Sequence, residues 1–220
     1  MRRVLVLRPE PGASATVERA QSRGIDAVAL PLFTIEPVPW EVPDTHVFDG
    51  LLLTSANALR RGGEQLQSLR GLPAYAVGEA TADAARDAGF DIAATGDSGV
   101  DRLLDSIDPE LTLLHLCGED RREPIAARQT ITPIAVYRAK AIPHPELHEI
   151  GDCIAMVHSP RAARRFAELI DDKGNIAIAA ISQAAAEAAG SGWKAVEAAE
   201  RPDDDALLAL TERLCNNLPR

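Results

Sequence analysis

The sequence predicts an α/β protein built from two flavodoxin-like parallel-sheet domains, and three observations support this prediction. First, short aliphatic or β-branched runs alternate with amphipathic, alanine-rich stretches along the whole chain of 220 residues. Alternation of this kind is typical of parallel sheets with helices on both faces. Second, the pattern repeats at a constant offset. Third, each copy of the repeat contains five strand-like runs, the number in a flavodoxin-like sheet.

The predicted elements follow from the period of the hydrophobic pattern. Each strand candidate is a short apolar run, and each helix candidate places alanine or leucine at helical spacing between polar residues. The strand candidates are residues 4–7, 27–30, 50–53, 74–77, 91–94, 112–116, 131–136, 154–157, 176–180 and 195–197. The helix candidates are residues 13–23, 56–69, 81–88, 100–106, 161–170, 184–189 and 204–215.

The internal repeat has an offset of 104 residues (159 − 55), because Ser55 falls on Ser159. With the same offset the segment AVGEATADAA at 76–85 falls on AISQAAAEAA at 180–189, and Asp101 falls on Asp205. Shared alanines alone are weak evidence, but one register across separate segments is difficult to obtain by chance. We therefore infer an internal duplication.

Two proline-rich connections indicate that the domains do not coincide with the two copies. Residues 31–49 and 137–152 form long links that contain several prolines, whereas the join between the copies near Pro109 is short. Long proline-rich links are where a chain passes between domains. We therefore predict a first domain made of residues 1–35 and 138–220 and a second made of residues 36–137, joined by a two-stranded hinge.

Composition argues against several classes of protein. A formal net charge of −10 disfavours nonspecific binding to nucleic acid. No apolar run approaches the roughly 20 residues that span a bilayer, and VLVL near the start is too short for a signal-peptide core. The three cysteines form no CxxC pair and the five histidines are scattered, so no metal site is expected. We expect a cytoplasmic monomer that does not bind membranes.

An ordered set of segments resembles the uroporphyrinogen-III synthase family over essentially the whole chain. The set comprises VLVLRPEP, DGLLLTSANAL, YAVGEATADAARDAGF, LLHLCGEDRRE, PIAVYRA, VHSPRAARRF, AAISQAAAEAAGSGW and PDDDALLALTERL. The resemblance implies two flavodoxin-like domains joined by a two-stranded linker, with the first domain made from both chain ends. It also implies cyclisation of hydroxymethylbilane to uroporphyrinogen III, with loss of water and inversion of ring D, and no cofactor.

The candidate binding residues lie in the turns that follow the predicted strands. Ligands of doubly wound sheets sit at the carboxyl ends of strands, where helix N-termini present free N–H groups to anions. A polycarboxylate substrate could be held there by backbone amides, hydroxyls and nearby arginines. The turn candidates are Thr54, Ser55, Asn57, Gly78, Glu79, Ala80, Thr81, Gly118, Ser159, Pro160, Ser182, Gln183 and Ala184, and the charge candidates are Arg8, Arg121, Arg138 and Arg161.

A structural interpretation stays open beside the functional one for several of these residues. Ser55, Ser159 and Ser182 could simply cap helices, a role that does not exclude contact with a ligand. Gly78 could serve only a tight turn, and Glu79 is better interpreted as a first-turn partner of the helix dipole than as a general acid.

The resemblance places Tyr137, in the segment VYR, at the hinge and facing the cleft, as the candidate catalytic side chain. The chain also departs from the family pattern at two points. Ser182-Gln183-Ala184-Ala185 stands where a Gly-Pro-Thr-Thr-like run is usual, and Val157-His158 stands where Phe-Thr or Phe-Ser is usual. The loss of those hydroxyls leaves backbone N–H groups as the expected contacts there.

Other functions share this predicted architecture. A two-lobed regulator that binds a small anion or a nucleotide would also have a hinge and a cleft, but the chain contains no GxGxxG or GxxxxGK[ST] phosphate loop. A pair of two-component receiver domains would need an acidic cluster after the first strand, where Arg8 and Pro9 stand instead. Fold alone does not separate these alternatives from a synthase.

Overall fold

The structure is a computed structural model that describes residues 2–96, 99–121, 123–147 and 150–217. Its strands are β1 (Arg3–Val6), β2 (Ala27–Ala29), β3 (Phe33–Pro37), β4 (Gly50–Leu53), β5 (Ala74–Val77), β6 (Ile92–Gly96), β7 (Thr112–Gly118), β8 (Thr130–Ala141), β9 (Cys153–Val157), β10 (Ile176–Ala180) and β11 (Ala195–Ala198). Its helices are α1 (Gly12–Ser22), α2 (Ala56–Arg61), α3 (Glu79–Asp87), α4 (Val100–Asp105), α5 (Pro160–Leu169), α6 (Gln183–Ala189) and α7 (Asp204–Asn217), and short 3₁₀ turns cover Thr45–Val47 and Glu64–Leu69.

The chain divides into two compact units. Unit 1 comprises Met1–Thr34 and Ala141–Arg220, and unit 2 is the continuous segment Ile35–Lys140. The strands β3 and β8 contain the two points at which the chain passes from one unit to the other. Whether each unit folds as an independent domain, with limits near residues 35 and 137, stays a prediction.

The two sheets share one strand order. Unit 1 has the order β2-β1-β9-β10-β11, and unit 2 has the order β8-β7-β4-β5-β6, with β3 added beside β8. Within the described residues, neighbouring strands in each of these five-strand orders pair in parallel. Both orders match the flavodoxin-like arrangement, in which the second strand lies outside the first and the chain then crosses to the other side.

The duplication explains this shared order. The offset of 104 residues carries Gly50 of β4 onto Ile154 in β9 and Val100 of α4 onto Asp204 of α7. Each sheet therefore takes three strands from one copy and two strands from the other. This arrangement confirms the predicted α/β fold with a first sheet built from both ends of the chain.

β3 is absent from the strand candidates, although it lies in one of the two links that are expected to form the hinge. Phe33 and Ile35 are buried in alternation with more exposed neighbours, as is typical of a strand. The amide of Ile142 donates to the carbonyl of Leu32 (2.9 Å), and that of Val38 donates to Val136 (3.0 Å), so β3 and β8 run antiparallel. This pairing also extends β8 beyond its predicted limits of 131–136.

The predicted helix over 56–69 is wrong in its second half. The α-helix ends at Arg61, and a 3₁₀ turn follows from Glu64. Gly63 adopts a φ of 73°, which a continuous right-handed helix does not allow. The paired glycines at 62 and 63 are the signal that would have placed this end correctly.

Different helices pack against the two faces of the sheet in unit 2. Leu51 and Leu53 pack in a cluster with residues of α2 and α3, whereas Leu52 packs with Leu103 and Leu104 of α4. Successive strand residues point to opposite faces, so the residues that follow β4 also alternate between the two faces. None of the helices in the described ranges is long and apolar enough to cross a bilayer.

Candidate active site

Residues from three adjacent strands meet at the carboxyl edge of the sheet in unit 2. Thr54 and Ser55 follow β4, Gly118 ends β7, and Tyr137 lies in β8. The strands β4, β7 and β8 are neighbours in the sheet, so their ends converge. The structure thus brings together four of the predicted site residues.

Tyr137 is placed by an irregularity in the sheet. Cys117 pairs with Ala135 and Gly118 pairs with Tyr137, so Val136 is an extra residue in β8. A bulge of this kind redirects the side chain that follows it. The Tyr137 ring lies against Gly118, where an added Cβ would stand 2.8 Å from Cε2. Only glycine at 118 leaves this space without displacing the ring.

The surroundings of Tyr137 keep its phenol protonated. The side chain is half-buried, and this burial raises the pKa of the Tyr137 phenol. A hydrogen bond with Ser55 has a smaller effect in the opposite direction. Because the net direction is upward from an already high ordinary value, the phenol remains a proton donor at neutral pH. Ser55 also caps α2, where its Oγ accepts from the Asn57 amide (3.2 Å).

Thr54 is paired with a buried histidine that the sequence analysis did not identify. Its Oγ1 lies 3.0 Å from Nε2 of His115, a residue of β7 that is 2% exposed. Burial, with a smaller effect from the charge of Arg121, lowers the pKa of His115 to about 4. The signal was present in the segment TLLHLC, where one polar residue interrupts a buried aliphatic strand.

The turn after β5 is shaped by Gly78, which has a φ of 81° and precedes α3. Its amide donates to the carbonyl of Gly96 (2.6 Å), so this N–H is used within the sheet edge. Thr81 is buried, whereas Glu79 and Ala80 are exposed at the start of α3. Glu79 Oε1 accepts from Arg86 (2.8 Å), which supports its interpretation as a helix-surface residue and not as a general acid.

In unit 1 the predicted serines cap helices. Ser159 Oγ accepts from the Ala162 amide (3.1 Å) at the start of α5, and Ser182 Oγ accepts from the Ala185 amide (3.3 Å) at the start of α6. Each hydroxyl keeps its own hydrogen, so capping leaves it able to donate to a ligand. Gln183 and Ala184 are exposed in the first turn of α6.

The four predicted arginines differ in what they contact. Arg121 and Arg138 form ion pairs with Glu123 and Glu36, both at 3.2 Å. Arg161 lies over the ring of Phe33, with its Cζ 4.6 Å from the ring centroid. Arg8 belongs to a larger network in unit 1. The ion pairs reduce the charge that Arg8, Arg121 and Arg138 present to an anion.

The network around Arg8 centres on Asp204, the first residue of α7. Asp204 Oδ1 lies 3.3 Å from Arg8 Nη1 and 2.9 Å from Nε2 of His158, a side chain that is 7% exposed. Asp204 Oδ2 accepts from Thr16 (3.0 Å) and Arg19 (2.7 Å). Burial raises the pKa of Asp204, but the opposing hydrogen bonds and charges of these partners outweigh it and hold the pKa at about 2.

His158 was noted in the sequence only as a departure from a family pattern. Burial lowers the pKa of His158, and its hydrogen bond with Asp204 opposes that effect. The result is a neutral imidazole beside an ionised carboxylate. Its contact with a residue 46 positions away joins the end of β9 to the start of α7.

Comparisons with known proteins agree with one another. The family model of uroporphyrinogen-III synthase HemD matches residues 14–209. A curated uroporphyrinogen-III synthase from Chlorobaculum parvum is 33% identical over 90 residues, a match that spans 37% of this chain and 37% of the relative.

Two solved structures are similar in fold. Uroporphyrinogen-III synthetase from Helicobacter pylori aligns with a TM-score of 0.66 and 21% identity, covering 97% of this chain and 100% of that one. A mutant uroporphyrinogen III synthase from the extremely thermophilic bacterium Thermus thermophilus aligns with a TM-score of 0.56 and 20% identity, covering 99% and 100%. At these identities the two structures establish the fold alone.

Proposed function

The chain belongs to the uroporphyrinogen-III synthase family, and from that premise we propose that it closes hydroxymethylbilane to uroporphyrinogen III. The reaction loses water and inverts the terminal ring D. The observation that supports it most directly is the protonated Tyr137 phenol, held against Gly118 and beside Ser55 at the carboxyl edge of a parallel sheet. Ligands of such sheets bind at this edge.

The chemistry requires a proton donor and a controlled conformation. The terminal hydroxyl of hydroxymethylbilane must leave, and a donated proton lets it depart as water, leaving an electron-poor azafulvene. Ring D then attacks through its already substituted carbon to form a spiro intermediate, which rearranges and loses a proton. The reaction involves no net oxidation or reduction, so the proposal requires no redox cofactor.

In this proposal Tyr137 assists departure of the hydroxyl. Its phenol can donate without special tuning, because burial keeps it protonated. General-acid assistance of this kind contributes roughly 10²- to 10⁴-fold in rate. The choice of product depends on a second contribution. The protein holds the substrate so that only one carbon of ring D can attack.

The substrate carboxylates are proposed to bind the turns that follow the strands. The neutral donors are the hydroxyls of Thr54, Ser55, Ser159 and Ser182 and the N–H groups of the turns around Asn57, Gly78, Gly118 and Gln183. Arg8, Arg121, Arg138 and Arg161 are candidate cations, and the first three must exchange an ion pair, with Asp204, Glu123 and Glu36 respectively, before they can bind an anion. We expect the enzyme to act as a cytoplasmic monomer.

Isomer analysis tests the proposed function directly. The purified protein is incubated with hydroxymethylbilane, the product is oxidised to the porphyrin, and the isomers are separated by chromatography. An incubation without protein measures spontaneous closure, which proceeds through the unsubstituted carbon to isomer I. We expect isomer III in the presence of the protein. Formation of isomer I alone would overturn the proposal and leave a two-lobed anion-binding protein as the alternative.

A further inference from the structure

We propose that His115 is a positioning residue, which orients the Thr54 hydroxyl as a hydrogen-bond donor toward a carboxylate of the substrate. This inference rests on the proposed synthase function, and it assigns a role to a residue that is itself too buried to touch the ligand. His115 is 2% exposed, whereas Thr54 is only half-buried. The contact between them therefore connects the interior of the sheet to its carboxyl edge.

The register of the sheet produces this contact. His115 of β7 pairs directly with Leu52 of β4, and Thr54 stands two residues after Leu52. Residues two apart in an extended chain share a face, so Thr54 lies on the face of His115. The observed separation of 3.0 Å between Oγ1 and Nε2 is a normal hydrogen-bond length.

The tautomer of the neutral His115 ring decides the direction of its hydrogen bond with Thr54. Burial, assisted by the charge of Arg121, lowers the pKa of His115 to about 4, so the imidazole is neutral at physiological pH. A neutral imidazole carries one N–H. When Nε2 holds that proton it donates to Thr54 Oγ1, and the threonine O–H is then directed away from the histidine. When Nε2 is bare it accepts the threonine proton, and only oxygen lone pairs remain for a ligand.

An anionic ligand selects between these two states. A carboxylate is an acceptor, so it binds a threonine that donates and is repelled by one that offers lone pairs. A protonated Nε2 thus prepares Thr54 for a carboxylate before the ligand arrives, and this preorganisation favours binding. Among the described residues, His115 is the hydrogen-bond partner of the Thr54 hydroxyl.

The neighbouring hydroxyl has a different assignment. Ser55 lies on the opposite face, where it accepts from the Asn57 amide and interacts with the Tyr137 phenol. The two consecutive hydroxyls are therefore divided between the two faces of the sheet, one beside the proposed proton donor and one beside His115. This division indicates that Thr54 contributes to binding the substrate and Ser55 to placing Tyr137.

Four variants test the inference through steady-state kinetics with hydroxymethylbilane. His115→Leu removes the donor, His115→Gln retains an amide N–H near the position of Nε2, and Thr54→Val removes the hydroxyl while keeping its shape. We expect His115→Leu and Thr54→Val each to raise KM about tenfold with kcat changed less than about twofold. His115→Gln should stay within about threefold of the wild type in KM. The fourth, the double variant of His115→Leu with Thr54→Val, should resemble either single variant, because both changes remove one interaction.

Leu113→Ala is the matched control, because Leu113 is buried on the same face of β7, two residues before His115. It should lower the melting temperature without raising KM. The inference is overturned if His115→Leu lowers stability but leaves KM unchanged, or if the effects of His115→Leu and Thr54→Val multiply.

A binding measurement separates this inference from the proposed function. Titration calorimetry with uroporphyrinogen III under anaerobic conditions gives Kd for the wild type and the same variants. Formation of isomer I alone by the wild type would reject the proposed function. If that protein still binds uroporphyrinogen III, and the double variant loses no more affinity than either single variant, the role of His115 is supported. Absence of binding, or additive losses in Kd, would reject the role of His115 whatever the isomer analysis shows.

Discussion

The two units of this molecule have one architecture but opposite chemistry at equivalent positions. Residues 54 and 158 are related by the offset of 104, and each directly follows the central strand of the five-strand parallel order that the units share, β4 or β9. In unit 2 this residue is Thr54, which meets the neutral His115. In unit 1 it is His158, which meets the ionised Asp204. The duplication thus preserved the scaffold, while the polar contacts at its carboxyl edge diverged.

A second equivalent pair shows the same divergence. Asp101 in α4 and Asp205 in α7 are also related by the offset. Asp101 Oδ1 accepts from the Ile125 amide (2.8 Å) in the irregular segment after β7. Asp205 Oδ1 accepts hydrogen bonds from Arg19 and Arg23 (both 2.6 Å). Arg19 lies in α1, the helix that follows β1, and Arg23 caps its C-terminus. In unit 2 the aspartate binds the segment that follows β7, and in unit 1 it binds the segment that follows β1, the strand equivalent to β7. The position of the contact is therefore shared, although its chemical partner differs.

The different polar contacts give the two sheet edges different roles: the edge in unit 1 stabilises the fold, and the edge in unit 2 serves the reaction. Charges at the edge of unit 1 are committed to one another, so a ligand carboxylate must displace Asp204 to reach Arg8. In unit 2 the hydroxyls of Thr54 and Ser55 are neutral, so they bind an anion without giving up an ion pair. We therefore expect losses of stability from changes in the unit 1 network and losses of turnover or binding from changes in unit 2.

The largest expected effect concerns whether each part of the chain folds. Unit 2 is continuous in sequence, whereas unit 1 is assembled from Met1–Thr34 and Ala141–Arg220. A fragment of residues 35–140 should fold alone, because its five-stranded parallel sheet needs no strand from elsewhere. A fragment of residues 1–108 contains one whole copy but leaves β1 and β2 without β9. Circular dichroism and urea denaturation should show a cooperative transition for the first fragment and none for the second.

The opposite result would show that the folding domains follow the copies. In that case residues 1–108 would be compact and cooperative while residues 35–140 would be unfolded.

Asp204→Asn should cause the largest loss of stability among changes to the polar network of unit 1. The carboxylate is only 18% exposed, and its pKa of about 2 lies below the ordinary 3.8 because its partners favour the charged form. This difference corresponds to about 2 kcal/mol of unfolding free energy at neutral pH. A depressed carboxyl pKa stabilises the fold above about pH 4, and the stabilisation is lost as the pH falls toward 2. Urea denaturation at about pH 7 and about pH 3 should therefore show a smaller difference between variant and wild type at the lower pH.

Asp205→Asn is the matched control for this prediction. Asp205 is adjacent and also forms ion pairs, but its side chain is 66% exposed, so water screens them. Its replacement should cost less than about 1 kcal/mol. Equal losses from the two variants would contradict the idea that Asp204 is the centre of the network.

Tyr137→Phe should reduce turnover at least about tenfold, equivalent to about 1.4 kcal/mol in the barrier. The ring and its contact with Gly118 remain, so the protein should fold and bind product nearly as well as the wild type. Tyr75→Phe is the control, because Tyr75 also packs against a glycine, Gly50, at the start of β4. Loss of its hydroxyl should leave turnover unchanged. Full activity of Tyr137→Phe in a stable protein would show that the tyrosine only packs at the sheet edge and that conformational control alone drives the reaction.

Most of the fold could be predicted from sequence because it depends on local patterns. A short apolar run such as LLL at 51–53, followed by a turn signal, is typical of a buried strand, and the offset of 104 residues indicates the duplication. The list of strand candidates omits β3, although a two-stranded hinge was expected there, because prolines at 31 and 37 indicated a link and the burial of β3 depends on pairing with β8. The tertiary contact outweighed the local signal.

The site could be predicted only in part, for the same physical reason. The turn residues follow from the ends of strands, so Ser55 and Ser159 were found from the pattern, and Tyr137 followed from the resemblance. Their partners did not follow, because His115 and Thr54 are 61 positions apart and His158 and Asp204 are 46 apart. Sequence shows that a polar residue stands in a buried strand, but only the register of the sheet determines what it meets.

The smallest expected effect is that of Ser55→Ala. The change removes the cap of α2 and the hydrogen bond to the Tyr137 phenol, but leaves the backbone N–H groups of the turn in place to hold a carboxylate. Loss of an N-cap serine costs about 1 kcal/mol of stability, so a slightly lower melting temperature is expected. Turnover should fall less than in Tyr137→Phe, because the phenol keeps its proton and its support from Gly118. In unit 1, Ser159→Ala removes an equivalent cap at the offset of 104, and both tyrosines of the chain belong to unit 2. If Ser159→Ala lowers turnover as much as Ser55→Ala, both serines act as caps or general ligand contacts, and the placement of Tyr137 does not depend on Ser55.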